Sequence, residues 1–328
     1  MKAIVQGGYG SADMLTLRDV DDPVVGDDDV LVRVYAAGCG PDVWHLMTGL
    51  PYFVRAMPGL HKIRGSVPGQ DVAGRVEAVG AKVTGVRPGE DVMGVSVGAF
   101  AELALASPEK LGRKPTGITF EQAAAVPVSG SSALQSVRDL GEAGPRKTAA
   151  IVGAGGGVGT FAVQIAKALG ARVTGVCSAG KVDLVRSIGA DDVIDHSRED
   201  FANGTRRWDL VVDTAGLRSI SELQRALTPT GTLVIVGGEG GNRWTGGFGR
   251  QLRAPFLSMF SRQKLRSLNA KEGREDLETL ATMIDAGQVT PVVGSVYPLP
   301  AAADAIRELE RGHASGKIVV SVADGAAR

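Results

Sequence analysis

The stretch that most constrains the fold is Ala149–Gly170, which reads as a short apolar strand, a glycine-dense turn and an amphipathic helix. Ala149-Ala150-Ile151-Val152 is unbroken and apolar, as a strand covered on both faces must be. Gly153, Gly155, Gly156, Gly157 and Gly159 follow it. Val158, Phe161, Ala162, Ile165 and Leu169 then fall on one helical stripe, with Gly170 placed as a C-terminal cap. Such a turn suits a pyrophosphate: side-chain-free backbone lets the anion approach, and the first N–H groups of the helix point at it. Glycines also serve ordinary tight turns. The order strand, turn, helix and next strand (Arg172–Val176) favours the nucleotide reading.

A chain of 328 residues is long enough for two domains with sizeable cores. Lys plus Arg and Asp plus Glu are balanced at 36 each, so the totals favour neither nucleic acid nor an acidic membrane surface as a partner. Met1-Lys2-Ala3-Ile4-Val5 already reads as a strand, so no signal peptide is expected, and no apolar run is long enough to span a bilayer. The two cysteines, Cys39 and Cys177, are far apart and lack CxxC spacing. A reducing cytoplasm is the expected compartment.

Residues 1 to about 120 read as short strands broken by Gly, Pro and Asp, an all-β, barrel-like domain. Its one irregular segment, Gly49–Ser66, carries Tyr52, Phe53, Met57 and His61 without a period. From Glu121 the texture changes. Ala149–Val152, Arg172–Val176, Asp192–Ile194, Leu210–Asp213 and Thr232–Val236 are expected strands with helices between them, hence a parallel sheet covered on both faces. Residues 239–262, rich in Gly, Arg and aromatics, resist assignment. Lys264–Asn269 is a candidate sixth strand, Glu272–Ala286 a helix, and the tail returns to β texture around a helix over Ala301–Arg311.

In a dinucleotide site of this kind an acidic residue about 20 residues past the first glycines holds the adenosine ribose diol. Here strand two runs into Cys177-Ser178-Ala179-Gly180-Lys181 and offers no carboxylate before Asp183. Ser178 and Lys181 can instead donate to a 2′-phosphate, which a carboxylate would repel. His196, after the third strand, is a candidate to stack beside the adenine or reach the same phosphate. These residues favour NADPH; the bland alternative is a surface lysine and a helix-capping serine. Asp213-Thr214-Ala215-Gly216 and Val236-Gly237-Gly238 end strands four and five, where the nicotinamide half belongs, so Ala215, Gly216, Gly237 and Gly238 join the candidate site.

Metal chemistry would need three protein ligands and an open position. Cys39, His45 and His61 are near one another in sequence, but their spacing does not converge them; a buried thiol and loop histidines are favoured. Gly94-Val95-Ser96-Val97-Gly98 has the G-x-S-x-G spelling but lies among the expected short strands rather than between a strand and a helix, so no nucleophile elbow is expected. Glu308 and Glu310 read as a solvated helix face.

Several segments, in order, resemble the medium-chain dehydrogenase/reductase superfamily, in its zinc-independent quinone oxidoreductase (ζ-crystallin-like) branch. They are Pro68-Gly69-Gln70-Asp71-Val72-Ala73-Gly74, Val86-Arg87-Pro88-Gly89-Glu90-Asp91-Val92, Ala123-Ala124-Ala125-Val126-Pro127 and the glycine turn. Gly175–Ser178, Leu184–Asp191 and Gly316-Lys317-Ile318-Val319 extend the match over nearly the whole chain. The resemblance implies an α/β architecture: a GroES-like β-barrel catalytic domain over 1–122, a Rossmann doubly wound NADP-binding domain over 123–287, and a return to the first domain over 288–328. It also implies a homodimer formed by pairing Rossmann edge strands. In zinc-containing relatives a Cys stands at Cys39, but their His aligns with Gln70 and their second Cys has no counterpart near Val128-Ser129-Gly130. Metal ligands are therefore expected to be none.

By position, the resemblance assigns Ser132 to the nicotinamide end. It assigns Gly153, Gly156, Gly157, Val158 and Gly159 to the phosphates, and Ser178 and Lys181 to the 2′-phosphate; His196 stands where many relatives have Tyr. No catalytic residue is assigned. Asp42, Trp44 and Tyr52 are pocket candidates, with Phe53 beside them and Tyr52 a candidate proton donor. The expected function is NADPH-dependent, zinc-independent hydride transfer to a small quinone or α,β-unsaturated carbonyl compound. Two alternatives stand beside it: an enoyl-thioester reductase, for which Arg243, Arg250, Arg253 and Arg262 would offer a basic rim, and a non-catalytic NADPH-binding sensor.

Overall fold

The computed structural model describes residues 1–56, 66–238 and 243–322. In chain order its strands and helices are β1 (Lys2–Gln6), β2 (Leu15–Asp19), β3 (Val30–Cys39), α1 (Pro41–Thr48), β4 (Asp71–Val79), β5 (Asp91–Val95), β6 (Leu103–Ala106) and β7 (Leu111–Arg113). Then come α2 (Phe120–Ala124), α3 (Pro127–Leu134), β8 (Thr148–Val152), α4 (Gly157–Ala168), β9 (Arg172–Cys177), α5 (Val182–Ser187), β10 (Asp192–Asp195), β11 (Trp208–Asp213), α6 (Ile220–Arg225) and β12 (Leu227–Ile235). The last are α7 (Phe248–Ser258), β13 (Lys264–Ser267), α8 (Arg274–Asp285), β14 (Val293–Pro298), α9 (Ala302–Glu310) and β15 (Lys317–Ser321).

Two compact units result. One comprises Met1–Ser131, Glu272–Ala286 and Pro291 onward; the other comprises Ser132–Lys271 and Gly287–Thr290. The first unit is built on a sheet of order β14-β15-β3-β4-β5-β7, with β6 also paired to β3. Alternation in β3 puts Val30, Val32 and Val34 into a core with Val72, Val76, Phe100, Ile306 and Ile318. The return of the chain is a parallel β14–α9–β15 crossover, and β15 pairs antiparallel with β3 in a register that sets Ile318 opposite Cys39.

Two helices depart from the sequence reading of this unit. Pro41–Thr48 is an α-helix inside the expected all-β region, with Pro at its first position and Gly49 in the left-handed conformation closing it. Helix α8, grouped by sequence with the nucleotide-binding half, packs on β7 instead. Glu278 accepts the Arg113 backbone N–H at 3.1 Å, and a Cβ on Gly112 would lie 2.7 Å from the Leu277 Cβ. A side chain at Gly112 would push the helix off the strand.

The second unit is a six-stranded parallel sheet of order β10-β9-β8-β11-β12-β13. Numbered from β8, this is the 3-2-1-4-5-6 order of a dinucleotide-binding fold. All five expected strands and the candidate sixth are present, and the unassigned 239–262 segment contains helix α7. Helix α4 is less amphipathic than its sequence suggests: residues 159–166 are all buried. A helix enclosed on every side must satisfy its polar groups internally. Gln164 does so, donating to Thr160 O and Thr290 O, both at 3.0 Å, and accepting from the Thr290 N–H at 2.8 Å.

Candidate functional site

The glycine turn sits at the carboxyl end of β8, where open parallel sheets bind ligands. The N–H groups of Gly153 and Ala154 both donate to Val176 O, at 3.0 and 3.1 Å, which ties the turn to β9. Gly153 has φ +83°, a conformation that strains other residues, and a Cβ there would lie 2.6 Å from the Thr214 hydroxyl. A Cβ on Gly159 would meet Gly153 O at 2.1 Å, so the start of α4 packs directly on the turn.

The N-cap of α4 is Gly156, which has no side chain to accept from the helix, and the first turn carries no acidic residue. The N–H groups of Gly157, Val158 and Gly159 therefore lack the usual capping acceptor, and the positive end of the helix is not neutralised by its own sequence. That arrangement takes an anion.

The neighbouring strand ends close around this point. Thr214, just past β11, donates its hydroxyl to Val152 O at 2.8 Å. Gly216, at φ +72°, donates its N–H to Asp213 Oδ1 at 3.1 Å, and a Cβ on Gly237 would lie 2.4 Å from Thr214 O. Ala215 packs against Gly153, and Gly238 O accepts from the Gly247 N–H at 3.0 Å. Gly153, Gly156, Gly157, Val158, Gly159, Ala215, Gly216 and Gly237 are thus gathered at the carboxyl ends of the central strands β8, β11 and β12.

Lys181 joins them. A Cβ on Gly155 would lie 2.7 Å from the Lys181 Cδ, so the lysine stem lies across the turn. Burial holds its ammonium below the ordinary lysine value, with the Cys177 thiol acting the other way. Ser178 precedes a short 3-10 turn but makes no side-chain cap bond, so the helix-capping alternative for this hydroxyl does not hold. His196 is exposed, and its backbone N–H donates to Cys177 O at 3.0 Å, which seats it beside Ser178.

Reasoning from strand two alone missed a carboxylate on strand three. Asp195 pairs in register with Cys177. Its Oδ1 accepts from the Ser197 N–H at 3.0 Å and the Ser197 hydroxyl at 2.8 Å, which hold it below the usual carboxylate range. Arg198 stands 3.6 Å from its other oxygen.

Arg250, in the first turn of α7, entered the sequence reading only as part of a basic rim for a thioester substrate. It pairs through Nη2 with Asp213, which is fully buried. Its Nε and Nη1 are buried without a hydrogen-bond partner among the described residues. Unmet guanidinium donors cost about 1–3 kcal/mol each unless a ligand satisfies them. A buried strand-end Asp needing a counter-ion was the available signal. Ser132 is 6% exposed, and its carbonyl accepts from the Ser136 hydroxyl at 2.6 Å. Its neighbour Ser131 has a buried hydroxyl with no partner among the described residues. A cavity of about 330 Å³ lined by Thr148, Arg172, Arg206 and Trp208 lies at the amino ends of the strands, opposite the glycine turn, and is no part of this site.

In the first unit the three pocket candidates do not converge on one another. Trp44 donates its indole N–H to Glu310 at 2.9 Å and packs on the core. The Arg55 guanidinium lies 4.9 Å from the Tyr52 ring centre, and Phe53 is 39% exposed. Asp42 turns inward: its Oδ2 is buried without a partner among the described residues, and burial, with Asp71 adding to it and Lys317 opposing, raises its carboxyl to about 6. Nor are Glu308 and Glu310 an idle solvated face. Glu308 accepts from Ser295 at 2.9 Å and Tyr297 at 2.6 Å, while Glu310 holds Trp44.

The zinc position of the resembling enzymes offers a poor donor set here. Cys39 is fully buried, and burial pushes its thiol up to about 12. Lys317 is only 4% exposed; its ammonium donates to Asp71 at 2.9 Å and lies 3.1 Å from where a Cβ on Gly40 would stand. A resident cation already balances these carboxylates. Asp71 Oδ1 accepts from the Val128 N–H at 2.9 Å, and Gln70 stands next to it in the chain. Among the described residues no group of three or more His, Cys, Asp or Glu can hold a metal; His61 and Met57 lie outside the described residues.

Comparison with known proteins agrees with this architecture. Residues 26–127 match a family model described as alcohol dehydrogenase GroES-like domain, and residues 188–320 one described as zinc-binding dehydrogenase. The chain is 30% identical to the chloroplast envelope quinone oxidoreductase homolog of Arabidopsis thaliana, over 98% of each chain. It is 29% identical to a mitochondrial NAD(P)H oxidoreductase of Danio rerio, over 98% of this chain and 91% of that one. The solved quinone oxidoreductase of Coxiella burnetii superposes with a TM-score of 0.86 at 26% identity, over 98% of this chain and 99% of that one. The chain belongs to the medium-chain dehydrogenase/reductase superfamily, in its quinone oxidoreductase branch, a family of oxidoreductases.

Proposed function

We propose that this protein transfers hydride from NADPH to quinones or other conjugated carbonyl compounds without zinc. The observation that carries the reading is the uncapped start of α4 on a glycine turn crossed by Lys181, with the Ser178 hydroxyl not spent on capping. The N–H groups of Gly157, Val158 and Gly159 would hold the pyrophosphate, and Ser178 and Lys181 the 2′-phosphate. Gly216, Gly237 and Gly238 let backbone approach the nicotinamide half, and the spare Arg250 donors stand at that end of the sheet. Ser132 is assigned to the same end by position. NADPH, when bound, supplies the hydride. The substrate oxygen would take hydrogen bonds in place of a Lewis acid, because Gln70 stands where zinc-containing relatives have a His and the Lys317 ammonium already pairs with Asp71. Relatives named quinone oxidoreductase and NAD(P)H oxidoreductase support the substrate and cofactor class. The edge position of β13 supports a homodimer formed by strand pairing.

Calorimetric titration with each cofactor tests this. NADPH is expected to bind more tightly than NADH. Lys181→Ala should weaken NADPH about tenfold, the scale of one charge-assisted hydrogen bond, and leave NADH unchanged. Equal wild-type affinities would overturn the cofactor assignment.

A further inference from the structure

The carboxyl end of β11 holds a buried charge pair with donors to spare. Asp213 is the last residue of the strand and is fully buried, so its carboxylate needs partners that water cannot supply. It has two. Oδ1 accepts the Gly216 N–H at 3.1 Å, and Oδ2 accepts from Nη2 of Arg250. Nε and Nη1 of the same guanidinium are also shut away from solvent, and neither has a hydrogen-bond partner among the described residues. A guanidinium carries five N–H donors, two of them on Nη1 and one on Nε. Three donors are therefore removed from water and left unmet.

The backbone around them is fixed. The Arg250 N–H donates to Gly247 O at 3.0 Å. The Gln251 side chain donates to Val236 O at 3.4 Å, and its carbonyl accepts the Ser267 hydroxyl at 2.6 Å. These bonds tie the first turn of α7 to the ends of β12 and β13. Asp213 is anchored in the same way, its carbonyl accepting the N–H groups of Val236 and Gly237 at 3.0 and 3.1 Å. A rigid set of buried donors with no internal acceptor lowers stability, and a fold retains such a set where a ligand completes it.

Charge and place together define that ligand. The Asp213 carboxylate already offsets the guanidinium, so the spare donors suit a neutral oxygen better than a second anion. The element that seeks an anion is the uncapped start of α4, beyond β8. Arg250 meets β11 beside Gly216 and Gly237, where an open parallel sheet receives the nicotinamide half of a dinucleotide. That half is uncharged around its carboxamide and ribose, both of which offer oxygen acceptors.

We infer that Arg250 is a cofactor-binding residue whose Nε and Nη1 donate to the neutral oxygens of the nicotinamide nucleoside, its carboxamide carbonyl and ribose hydroxyls. Asp213 holds the guanidinium in place for that task. The inference rests on the dinucleotide reading above but not on the choice between NADPH and NADH, which share this nucleoside. Neutralising Asp213 does not by itself account for the arginine: the point charge of a lysine would do so without burying three unmet donors.

Calorimetric titration of the full chain and of Arg250→Lys tests this, with NADPH, NADH and adenosine 2′,5′-bisphosphate, which lacks the nicotinamide nucleoside. The lysine keeps a cation for Asp213 and removes the spare donors. Arg250→Lys should weaken NADPH and NADH by the same factor, about tenfold, and leave the bisphosphate unchanged. The Tm of the ligand-free variant should not fall below the parent's, whereas Arg250→Met, which strands the Asp213 charge, should lower it. Unchanged affinity for both dinucleotides would overturn the inference. So would an equal loss for all three ligands, the mark of a merely structural arginine. A fall in kcat/KM for a quinone with dinucleotide affinity intact would also overturn it, since the donors would then belong to the substrate. A parent protein that binds neither dinucleotide would bring down the dinucleotide reading and this inference together.

Discussion

Gly159→Ala is expected to lose cofactor binding and much of the stability of the second unit. The new Cβ would stand 2.1 Å from Gly153 O and 2.8 Å from the Ala154 Cα, and both contacts are backbone. Neither can swing aside as a flexible side chain would, so α4 must move away from the turn. That shift also loosens Phe161 and Ile165, which are buried under the sheet. Overpacking of this kind costs about 3 kcal/mol. Displacing the helix start by about an ångström should weaken NADPH by on the order of 100-fold. Gly156→Ala is the control: its Cβ would meet only Gly153 O, at 3.4 Å, so stability should stay near the parent's. Denaturant unfolding and NADPH titration on both variants check the expectation. A Gly159→Ala protein that unfolds and binds like the parent would contradict this account of the turn.

Lys317→Met carries the second large effect. Lys317 and Asp71 are 4% and 1% exposed, and their 2.9 Å contact has no solvent to replace it. Removing one partner of a buried pair leaves an uncompensated charge and costs about 3–5 kcal/mol. Asp71→Asn/Lys317→Met should recover most of this, because a neutral amide can still accept from the Val128 N–H. The deficit should also depend on pH. The folded Asp42 carboxyl titrates at about 6, above its ordinary value of 3.8, so its contribution to stability is full in acid and is lost as pH rises through 6. Lys317 opposes that rise, so its loss lifts Asp42 further. The gap between variant and parent should be small near pH 4 and widest above pH 6. Urea unfolding at several pH values measures it; a pH-independent gap would show that Asp42 does not sense Lys317.

The parallel sheet was legible because its strands are buried on both faces and read as apolar runs, and because Gly153, Gly170 and Gly216 mark turns whose positive φ the structure confirms. The glycine cluster followed from the same pattern. What stayed hidden has two physical causes. Short elements carry too few residues to show a period: α1 has 8 residues, and only Pro41 between Gly40 and Gly49 announces it. Long-range polar pairs leave no local trace. Asp71 and Lys317 are 246 residues apart, and Asp213 and Arg250 are 37 apart, so neither pair was readable until the sheets brought them together.

The most direct test of the central claim is NADPH oxidation by purified, chelator-treated protein, followed spectroscopically against a panel of quinones and conjugated enones. The account predicts turnover that survives chelation and is unchanged by added zinc. No oxidation with any acceptor despite tight NADPH binding would mark a binding protein rather than an enzyme, and activity restored only by zinc would contradict the metal-free site.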